Sequence, residues 1–448
     1  MKKVILLLIL LVTINNNAQC WETISAGNGF IHAIKDDGTL WAWGSNTQGQ
    51  LGDGTIINKN TPVNVSNNST WLAISGGTYF TVGIKSNGTL WSWGSSFGGL
   101  VPTQVGTDSD WLKVSAGGFH ALAIKNDGTL WAFGQNLRGQ LGIGTIVNNY
   151  TPTQVGNSND WQSISCGGYH SAAIKTDGTL WTWGYNLSGQ IGDGGISNNR
   201  TTPYQVGTGT DWLSVSCGGG SASVLAMKTD HSIWGWGSNA FGGLGIGSTT
   251  DKDVPTRIGI LNDWQSLQTG FYHTFVIKNN GTLWACGFNT SGQVGDGTNT
   301  NRTTLVQIGS DSNWQEAFAG GNHSIGRKTD GTLLTWGYNN NGAIGDGTFI
   351  NKNIPTAISG ACSNLNVAPI VESNKLSLYP NPVQTILTVD NPNSYTIEEI
   401  SIVNNLGQTF MVGDVSTTQI NLQELANGIY FIKYKIDNKT YVQKIIKE

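Results

Sequence analysis

The stretch WLKVSAGGFHALAIKNDGTLWAFGQNLRGQLG, residues 111–142, decides the fold. Its β-prone runs are residues 111–115, 120–125, 129–133 and, beyond the quoted stretch, 151–155. A Gly-Gly turn at Gly117 separates the first two runs. Asp127-Gly128 separates the next two, because Asp-Gly tolerates the positive φ angles of a tight hairpin. The stretch therefore predicts one sheet of four antiparallel strands.

The same unit recurs along most of the chain. A tryptophan followed three residues later by Ile, Val or Leu occurs at Trp21, Trp71, Trp111, Trp161, Trp212 and Trp264, and Trp314 begins a looser seventh copy. The steps between these tryptophans are 50, 40, 50, 51, 52 and 50 residues. One small sheet cannot bury both of its faces, whereas seven sheets packed face to face around an axis can. The repeat predicts an all-β, seven-bladed β-propeller.

Tryptophan is a structural residue of this repeat. A lysine follows the first tryptophan by 14 residues in six units and by 16 in the fifth. The second tryptophan position lies six residues after that lysine, and the third lies two residues further on. These three positions hold all 18 tryptophans, so they indicate core packing rather than a ligand site.

The charge of the chain limits the class of partner. Charged residues make up 12% of the sequence, the net charge is −4 and the isoelectric point is about 5.9. Proteins that bind nucleic acid usually present a basic face. We therefore expect no nucleic-acid partner.

The segment GGYHSAAIKTDGTLWTWGYNLSGQIGDG, residues 167–194, resembles the repeat of the regulator of chromosome condensation family. The resemblance extends over residues 20–360 and rests on the Gly-Gly-x-His, Asp-Gly and Gly-Gln-Leu-Gly elements at fixed spacing. It implies the propeller fold but no single activity. The family includes a nuclear exchange factor for a small GTPase and a secreted bacterial inhibitor of β-lactamase.

Residues 1–18 predict a signal peptide. Lys2 and Lys3 precede an apolar run from Val4 to Val12, which is too short to cross a bilayer as a helix. Cleavage after Ala18 fits the small residue there, and a lipid anchor on Cys20 is the alternative. No later segment is apolar enough to cross a membrane, so we expect an exported protein without a transmembrane segment.

The composition changes after the last repeat. We expect a propeller over 19–362, a linker over 363–374 and a second domain over 375–448. The opening Tyr379-Pro380-Asn381-Pro382 and the closing Gly428-Ile429-Tyr430-Phe431 resemble the C-terminal sorting domain of type IX secretion cargo. That resemblance implies a small Ig-like β-sandwich, recognition by the secretion machinery, and a secreted or cell-surface location. An ordinary binding module at the C-terminus is the alternative.

Two pairs of cysteines invite a disulfide hypothesis, because export permits oxidation. Cys20 and Cys362 flank the repeats, and a closed ring brings its ends together. The sequence therefore predicts a Cys20–Cys362 disulfide, with two free thiols as the alternative. Cys166 and Cys217 share one repeat position in adjacent blades, where they are either small-residue fillers or a cross-blade disulfide.

Aromatic and histidine residues next to the Gly-Gly turns form the candidate partner-binding ring. It consists of Tyr79, Phe80, Phe119, His120, Tyr169, His170, Tyr272, His273 and His323. Aromatics on turns are good interface anchors. A histidine that recurs blade after blade also suggests a structural hydrogen bond, and packing of the aromatics over neighbouring turns is the alternative.

No motif of a nucleophile, phosphate loop or metalloprotease is present. The Gly-Asp-Gly loops offer one carboxylate each, whereas calcium loops supply several oxygen ligands. We expect no enzyme activity, no metal and no cofactor. The predicted function is a scaffold for an extracellular protein or glycan. The alternatives are a propeller-type enzyme inhibitor and a metal-dependent propeller lyase.

Overall fold

The computed structural model describes residues 21–65, 69–95, 97–220, 222–358, 376–391, 394–404, 409–412, 418–436 and 439–448. Two compact units divide the chain, Met1–Leu365 and Asn366–Glu448. The predicted signal peptide, the linker over 363–374 and both cysteines of the predicted Cys20–Cys362 disulfide lie outside the described residues. Those predictions, and the domain boundaries, remain predictions.

The first unit contains seven four-stranded sheets, each built from consecutive strands in chain order. Blade 1 is β1 (Trp21–Ala26), β2 (Phe30–Lys35), β3 (Leu40–Gly44) and β4 (Lys59–Asn64). Blade 2 is β5 (Trp71–Gly76), β6 (Phe80–Lys85), β7 (Leu90–Gly94) and β8 (Gly99–Gln104). Blade 3 is β9 (Trp111–Ala116), β10 (His120–Lys125), β11 (Leu130–Gly134) and β12 (Asn149–Gln154). Blade 4 is β13 (Trp161–Cys166), β14 (His170–Lys175), β15 (Leu180–Gly184) and β16 (Arg200–Gln205).

The remaining blades follow the same pattern. Blade 5 is β17 (Trp212–Cys217), β18 (Ser223–Lys228), β19 (Ile233–Gly237) and β20 (Lys252–Arg257). Blade 6 is β21 (Trp264–Thr269), β22 (His273–Lys278), β23 (Leu283–Gly287) and β24 (Arg302–Gln307). Blade 7 is β25 (Trp314–Ala319), β26 (His323–Lys328), β27 (Leu333–Gly337) and β28 (Lys352–Ala357). All pairings are antiparallel, as in the predicted meander.

The fixed spacing of tryptophan and lysine follows from the strand register. In blade 4, Trp161 pairs with Lys175 across the first two strands. The Lys175 ammonium lies 4.9 Å from the centre of the Trp161 ring and 5.3 Å from that of Trp181. Its charge is also paired with Asp160 at 3.1 Å. The lysine thus joins two aromatic rings of its own blade through cation–π contacts.

The third tryptophan position of the unit packs between neighbouring blades. Trp43, Trp93, Trp183, Trp236 and Trp336 are all fully buried. Trp183 of blade 4, for example, packs in one apolar cluster with Leu122, Leu130 and Leu141 of blade 3. These rings fill the space between sheets and account for much of the apolar burial in the propeller.

Blade 7 packs directly against blade 1. Trp21 and Trp43 of blade 1 share an apolar cluster with Ile325, Leu333 and Ile358 from the end of the propeller. The Trp43 indole N–H donates to the Ala343 carbonyl at 3.0 Å. The seven sheets therefore form a closed ring, which confirms the predicted fold class.

The second unit is a separate β-structure. Its strands are β29 (Ser377–Tyr379), β30 (Ile386–Asp390), β31 (Ile397–Asn404), β32 (Thr409–Val412), β33 (Gln419–Asn421), β34 (Gly428–Ile436) and β35 (Lys439–Lys447). They form two sheets, in the orders β29-β30-β33 and β32-β31-β34-β35. Leu387, Ile402 and Ile432 belong to the apolar core that the two sheets share. This arrangement confirms the predicted small β-sandwich.

A single side chain of the opening motif is hydrogen-bonded to the last strand of this sandwich. The Asn381 amide donates to the Lys444 carbonyl at 3.0 Å and accepts from the Ile446 N–H at 2.8 Å. The Tyr-Pro-Asn-Pro segment therefore anchors the last strand of the chain. Within the described residues, no helix is long and apolar enough to cross a membrane.

Candidate functional site

The turns between first and second strands and the loops between third and fourth strands lie at the same end of every blade. We call this end the loop face. The Gly-Gly turns there carry backbone hydrogen bonds between blades, in which an N–H of one turn donates to a glycine carbonyl of the next. These bonds are Asn28 to Gly77, Gly118 to Gly167, Gly168 to Gly218, Gly219 to Gly270, Phe271 to Gly320 and Gly321 to Gly27, all 3.0–3.2 Å. The Gly-Gly element therefore couples blades.

The Gly-Gln-Leu-Gly loop also joins neighbouring blades, at a greater distance from the propeller axis than the Gly-Gly turns. Its glutamine carbonyl accepts the indole N–H of the third tryptophan in the next blade, as from Trp183 to Gln140 at 2.9 Å. A later glycine of the loop, Gly144, donates to the Thr201 carbonyl of the next blade at 2.8 Å. A Cβ at Gly142 would lie 2.7 Å from the Trp183 indole nitrogen, so only glycine fits there.

Blade 2 lacks this loop, and the boundary between blades 2 and 3 changes accordingly. In the described residues, no backbone hydrogen bond joins the Gly-Gly turns of these two blades, and none runs from the loop between the third and fourth strands of blade 2 to blade 3. Phe133 occupies the tryptophan position of blade 3, where an indole N–H would have no loop carbonyl to reach. Phe97 fills the space instead, with its ring centre 4.2 Å from that of Phe80 and 5.8 Å from that of Phe133.

Five members of the predicted partner-binding ring are buried, and this corrects the sequence-based assignment. Phe80, His120, His170, His273 and His323 are each no more than 1% exposed. They begin the second strand of their blades and point between sheets, so a partner cannot contact them without opening the ring. Burial also lowers the pKa of His120 to about 3 and that of His170 to about 4, which keeps both imidazoles neutral.

Two of these histidines form hydrogen-bonded relays between blades. His120 Nε2 lies 2.8 Å from Ser171 Oγ, whose hydroxyl donates to the Gln140 carbonyl at 2.8 Å. Because the hydroxyl proton is used in the second bond, His120 Nε2–H donates in the first. His273, Ser324 and Gln293 repeat this arrangement with the same distances. The recurring histidine is thus a structural residue at these two positions.

The accessible part of the predicted ring lies on blades 2 to 4. Tyr79 is 39% exposed, Tyr169 is 43% exposed, and Phe119 between them is half-buried. Ring centres are 6.2 Å apart from Tyr79 to Phe119 and from Phe119 to Tyr169, and 6.4 Å apart from Tyr169 to Tyr185. We call these four residues the aromatic row.

A pocket adjoins the aromatic row at blades 3 to 5. It has a volume of about 610 Å³, and its lining includes Leu137, Arg138, Tyr169 and Tyr185. The Arg138 guanidinium lies 5.4 Å from the centre of the Tyr185 ring. Sequence reasoning missed Tyr185 and Arg138, because only their position next to Tyr169 distinguishes them.

Tyr272, the remaining member of the predicted ring, belongs to a separate group. Its ring centre lies 5.3 Å from that of Phe241 and 6.0 Å from that of Phe288. Tyr272 is half-buried in these contacts. Packing over a neighbouring turn, the alternative interpretation for the ring, therefore describes Tyr272.

The Gly-Asp-Gly carboxylates are occupied by protein groups. Asp53 lies 3.2 Å from the Lys59 ammonium and accepts bonds from Thr55 and Asn46. Partial burial raises the pKa of Asp53, but these hydrogen bonds outweigh it and hold the pKa below its usual value. No cluster of three or more His, Cys, Asp or Glu that could hold a metal occurs in the part of the chain that the structure describes.

The first strands of the blades line a central cavity of about 300 Å³. Cys166 and Cys217 both face it, and both are unpaired thiols. Cys166 Sγ donates to the Ser115 carbonyl of blade 3 at 3.3 Å, on the side away from Cys217 in blade 5. Burial raises the pKa of Cys166 to about 12. The structure thus corresponds to the filler interpretation of these cysteines.

The fold and its loops define a closed seven-bladed propeller whose repeat motifs couple one blade to the next. The Regulator of chromosome condensation (RCC1) repeat model matches residues 37–84, 127–174, 177–225, 230–277, 280–326 and 330–372, and a second RCC1 model matches 21–50, 111–140, 161–190 and 264–293. The chain belongs to the RCC1 repeat family. The first model does not match residues 85–126, the stretch in which blade 2 lacks the loop between its third and fourth strands.

Solved structures agree on the fold. Human WBSCR16 has 20% identity and a TM-score of 0.65, covering 72% of this chain and 94% of that one. Yeast RCC1 (Prp20), solved with Kap60, has 18% identity and a TM-score of 0.64, covering 80% and 86%. At this identity the likeness shows the fold alone. No curated protein sequence matches the chain significantly.

The second unit matches the Secretion system C-terminal sorting domain over residues 377–448. This confirms the resemblance to type IX secretion cargo. The domain implies recognition by the secretion machinery and indicates that the protein is secreted or located at the cell surface.

Proposed function

We propose that the protein is an exported, non-enzymatic binding scaffold that holds an extracellular protein partner on its loop face, through the aromatic row. The observation that carries the proposal is the exposure of Tyr79 and Tyr169 on turns that the fold fixes in place. Tyrosine supplies a large contact area at low entropic cost, and rigid aromatic anchors dominate many protein interfaces.

The arrangement of the rings favours a protein over a glycan. Phe119 and Tyr169 stack on each other at an interplanar angle of 30°. Their ring faces are thus partly covered, whereas sugar binding commonly uses an open aromatic face. Arg138 beside Tyr185 adds a donor that suits backbone carbonyls and carboxylates of a protein. A propeller-type enzyme inhibitor is a special case of the same proposal.

The chemistry of the channel argues against the alternative of a propeller lyase. Such an enzyme needs a histidine and an acidic group that converge on a metal. The side chains that line the central cavity are Ser, Thr, Cys, Gln and apolar residues. The buried histidines nearby are neutral and held between blades.

Site-specific photo-crosslinking on producing cells tests the proposal. A photoreactive phenylalanine replaces Tyr169 in one variant and Tyr204 in a matched control. Tyr204 lies on the fourth strand of the same blade and is 36% exposed. We expect a discrete adduct with an extracellular protein from position 169 only, and a yield that falls when Tyr79 or Phe119 is changed to Ala. Identical adducts from both positions, or an adduct made only of carbohydrate, would contradict the proposal.

A further inference from the structure

The loops between third and fourth strands carry a second exposed apolar feature. Seven side chains occupy equivalent tips in blades 7, 1, 3 and 4, and we call them the rim tips. They are Ile56, Ile57, Ile146, Val147, Ile196, Phe349 and Ile350, and their exposures range from 53% to 69%. All lie on the loop face, close to the outer strands.

The fold does not require apolar residues at these tips. In blade 1, the Asn46 amide donates to the carbonyls of Thr55 and Ile57, at 3.0 and 3.3 Å. In blade 6, the Asn289 amide donates to the equivalent carbonyls of Thr298 and Thr300, both at 3.1 Å. The same loop is therefore built with Asn299-Thr300 where blade 1 has Ile56-Ile57.

Blade 5 gives the same result with Thr249-Thr250 at its tip. Its Asn239 amide donates to the carbonyls of Ser248 and Thr250, at 2.9 and 3.2 Å. Exposed aliphatic side chains therefore add nothing to the hydrogen bonds of this loop, and their recurrence at equivalent tips of blades 1, 3, 4 and 7 points to a contact outside the propeller.

The charges beneath the rim tips are neutralised in pairs. Asp53 pairs with Lys59, Asp193 with Arg200 and Asp346 with Lys352, at 3.2, 2.6 and 3.3 Å. Blade 3 has the uncharged Ile143 and Asn149 at these two positions. The charges at the base of these four loops are thus paired or absent, which complements a surface without net charge.

We propose that the rim tips insert into the interface of a zwitterionic lipid surface. In blades 1 and 7 the Ile57 and Ile350 carbonyls already accept a bond from the asparagine of their own loop, at 3.3 and 3.2 Å, and insertion into lipid favours backbone groups satisfied in this way. Protein hot spots favour Trp, Tyr and Arg instead of isolated aliphatic pairs. The proposal does not depend on the aromatic row, which uses other residues.

Sedimentation with phosphatidylcholine vesicles tests the proposal on the purified full chain. The test variant carries Ile56→Asn, Ile57→Thr, Phe349→Asn and Ile350→Thr, which copies the tip of blade 6 into blades 1 and 7. The control is Ile260→Thr, because Ile260 is 86% exposed at the end opposite the loop face. We expect the test variant to lose binding by at least about tenfold and the control to bind like the original chain.

The salt dependence of vesicle binding and the oligomeric state of the protein distinguish the remaining outcomes. Binding should change by less than about twofold between roughly 0.1 and 1 M NaCl, because no unpaired charge takes part. The proposal is overturned if the original chain does not sediment with vesicles, or if the test variant binds equally well while its tryptophan fluorescence is native. It is also overturned if light scattering shows a dimer that only the tip substitutions dissociate, since a second copy then covers the tips. A Tyr79→Ala, Tyr169→Ala variant should keep vesicle binding, so this test and that of the aromatic row fail independently.

Discussion

The boundary between blades 3 and 4 differs from the boundary between blades 2 and 3 in the kind of interaction that closes it. The first has the turn bond from Gly118 to Gly167, the indole bond from Trp183 to Gln140 and the histidine relay through Ser171. The second keeps the bond from the Ala116 N–H to Ser75 Oγ at 2.9 Å and the bond from the Trp111 N–H to the Gly88 carbonyl at 3.1 Å. Contacts among Phe80, Phe97 and Phe133 replace the rest.

The comparison shows that the loop of each blade provides a hydrogen-bond acceptor for the tryptophan of the next blade. Blade 2 lacks the loop, blade 3 has Phe133 in place of the tryptophan that would bind it, and Phe97 fills the space. A polar coupling between sheets and an aromatic one therefore solve the same packing problem. The predictions below test whether the two boundaries depend on these different interactions.

The largest effect is expected at the aromatic boundary. Phe97 is 8% exposed and contacts Phe80 and Phe133, so Phe97→Ala leaves a cavity between two blades. We expect the free energy of unfolding in urea to fall by about 3–5 kcal/mol. Phe349→Ala is the control, because Phe349 is 53% exposed and should cost less than about 0.5 kcal/mol. Similar losses in both variants would mean that Phe97 does not hold the blades together.

The second prediction addresses the polar boundary through its glycine. Gly142 has φ +72° and its added Cβ would meet Trp183, whereas Gly156 has φ +63° and open space around it. Both alanine variants pay for a left-handed backbone, about 1–2 kcal/mol, but only Gly142→Ala also displaces the indole. We expect Gly142→Ala to destabilise the protein by about 3 kcal/mol in total. If urea unfolding shows that Gly142→Ala and Gly156→Ala lower the free energy of unfolding equally, the close approach of Gly142 to Trp183 does not contribute to stability.

The third prediction concerns pH, because only the polar boundary contains a buried histidine. The pKa of His120 is about 3 in the folded protein, below its usual value of 6.5, since burial disfavours the charged ring. Between these values the unfolded chain binds the proton and the folded chain does not, so stability is lost as the pH falls below 6.5. His120→Phe, which copies Phe80, should reduce the slope of stability against pH by about 1 kcal/mol per pH unit between roughly pH 4 and 6.

Urea unfolding of the original chain and the His120→Phe variant at several pH values measures this slope. The Phe97→Ala variant is the control, because it changes the other boundary and should keep the original slope. An unchanged slope in His120→Phe would show that the imidazole is protonated, or accessible, in the folded state.

The sequence predicts what lies within a unit better than what lies between units. The spacing of Trp161, Lys175 and Trp181 determines a register inside one sheet, so strands and blade number follow from it. The burial of His120 depends on Ser171 and Gln140, which belong to two blades, and no pattern inside one repeat contains that contact. The rim tips also escape sequence reasoning, because Ile56 and Ile57 become informative only when blade 6 is known to form the same loop without them.

The sequence nevertheless contains one sign that the boundary between blades 2 and 3 is unusual. The missing loop of blade 2 and the replacement of tryptophan by Phe133 occur in consecutive units, as expected if loop and indole are partners. Cys286 gives a second case, because its thiol donates to the Gly243 carbonyl at 3.4 Å, where other blades have an indole. The coupling between blades is therefore visible in the sequence only when the loop of one unit is compared with the third aromatic position of the next unit.

The smallest predicted effect isolates that coupling. Trp183→Phe removes the indole N–H that binds the Gln140 carbonyl, although Ser171 still donates to the same oxygen at 2.8 Å. Because the carbonyl keeps one partner, we expect the lost hydrogen bond to contribute only about 1 kcal/mol in urea unfolding, in addition to the cost of the smaller buried ring. The reciprocal change, Phe133→Trp, adds a donor where blade 2 has no loop, and it should destabilise the protein instead of strengthening it. If Phe133→Trp stabilises the protein, the phenylalanine in blade 3 is not a response to the missing loop, and the pairing of each loop with the tryptophan of the next blade is incidental.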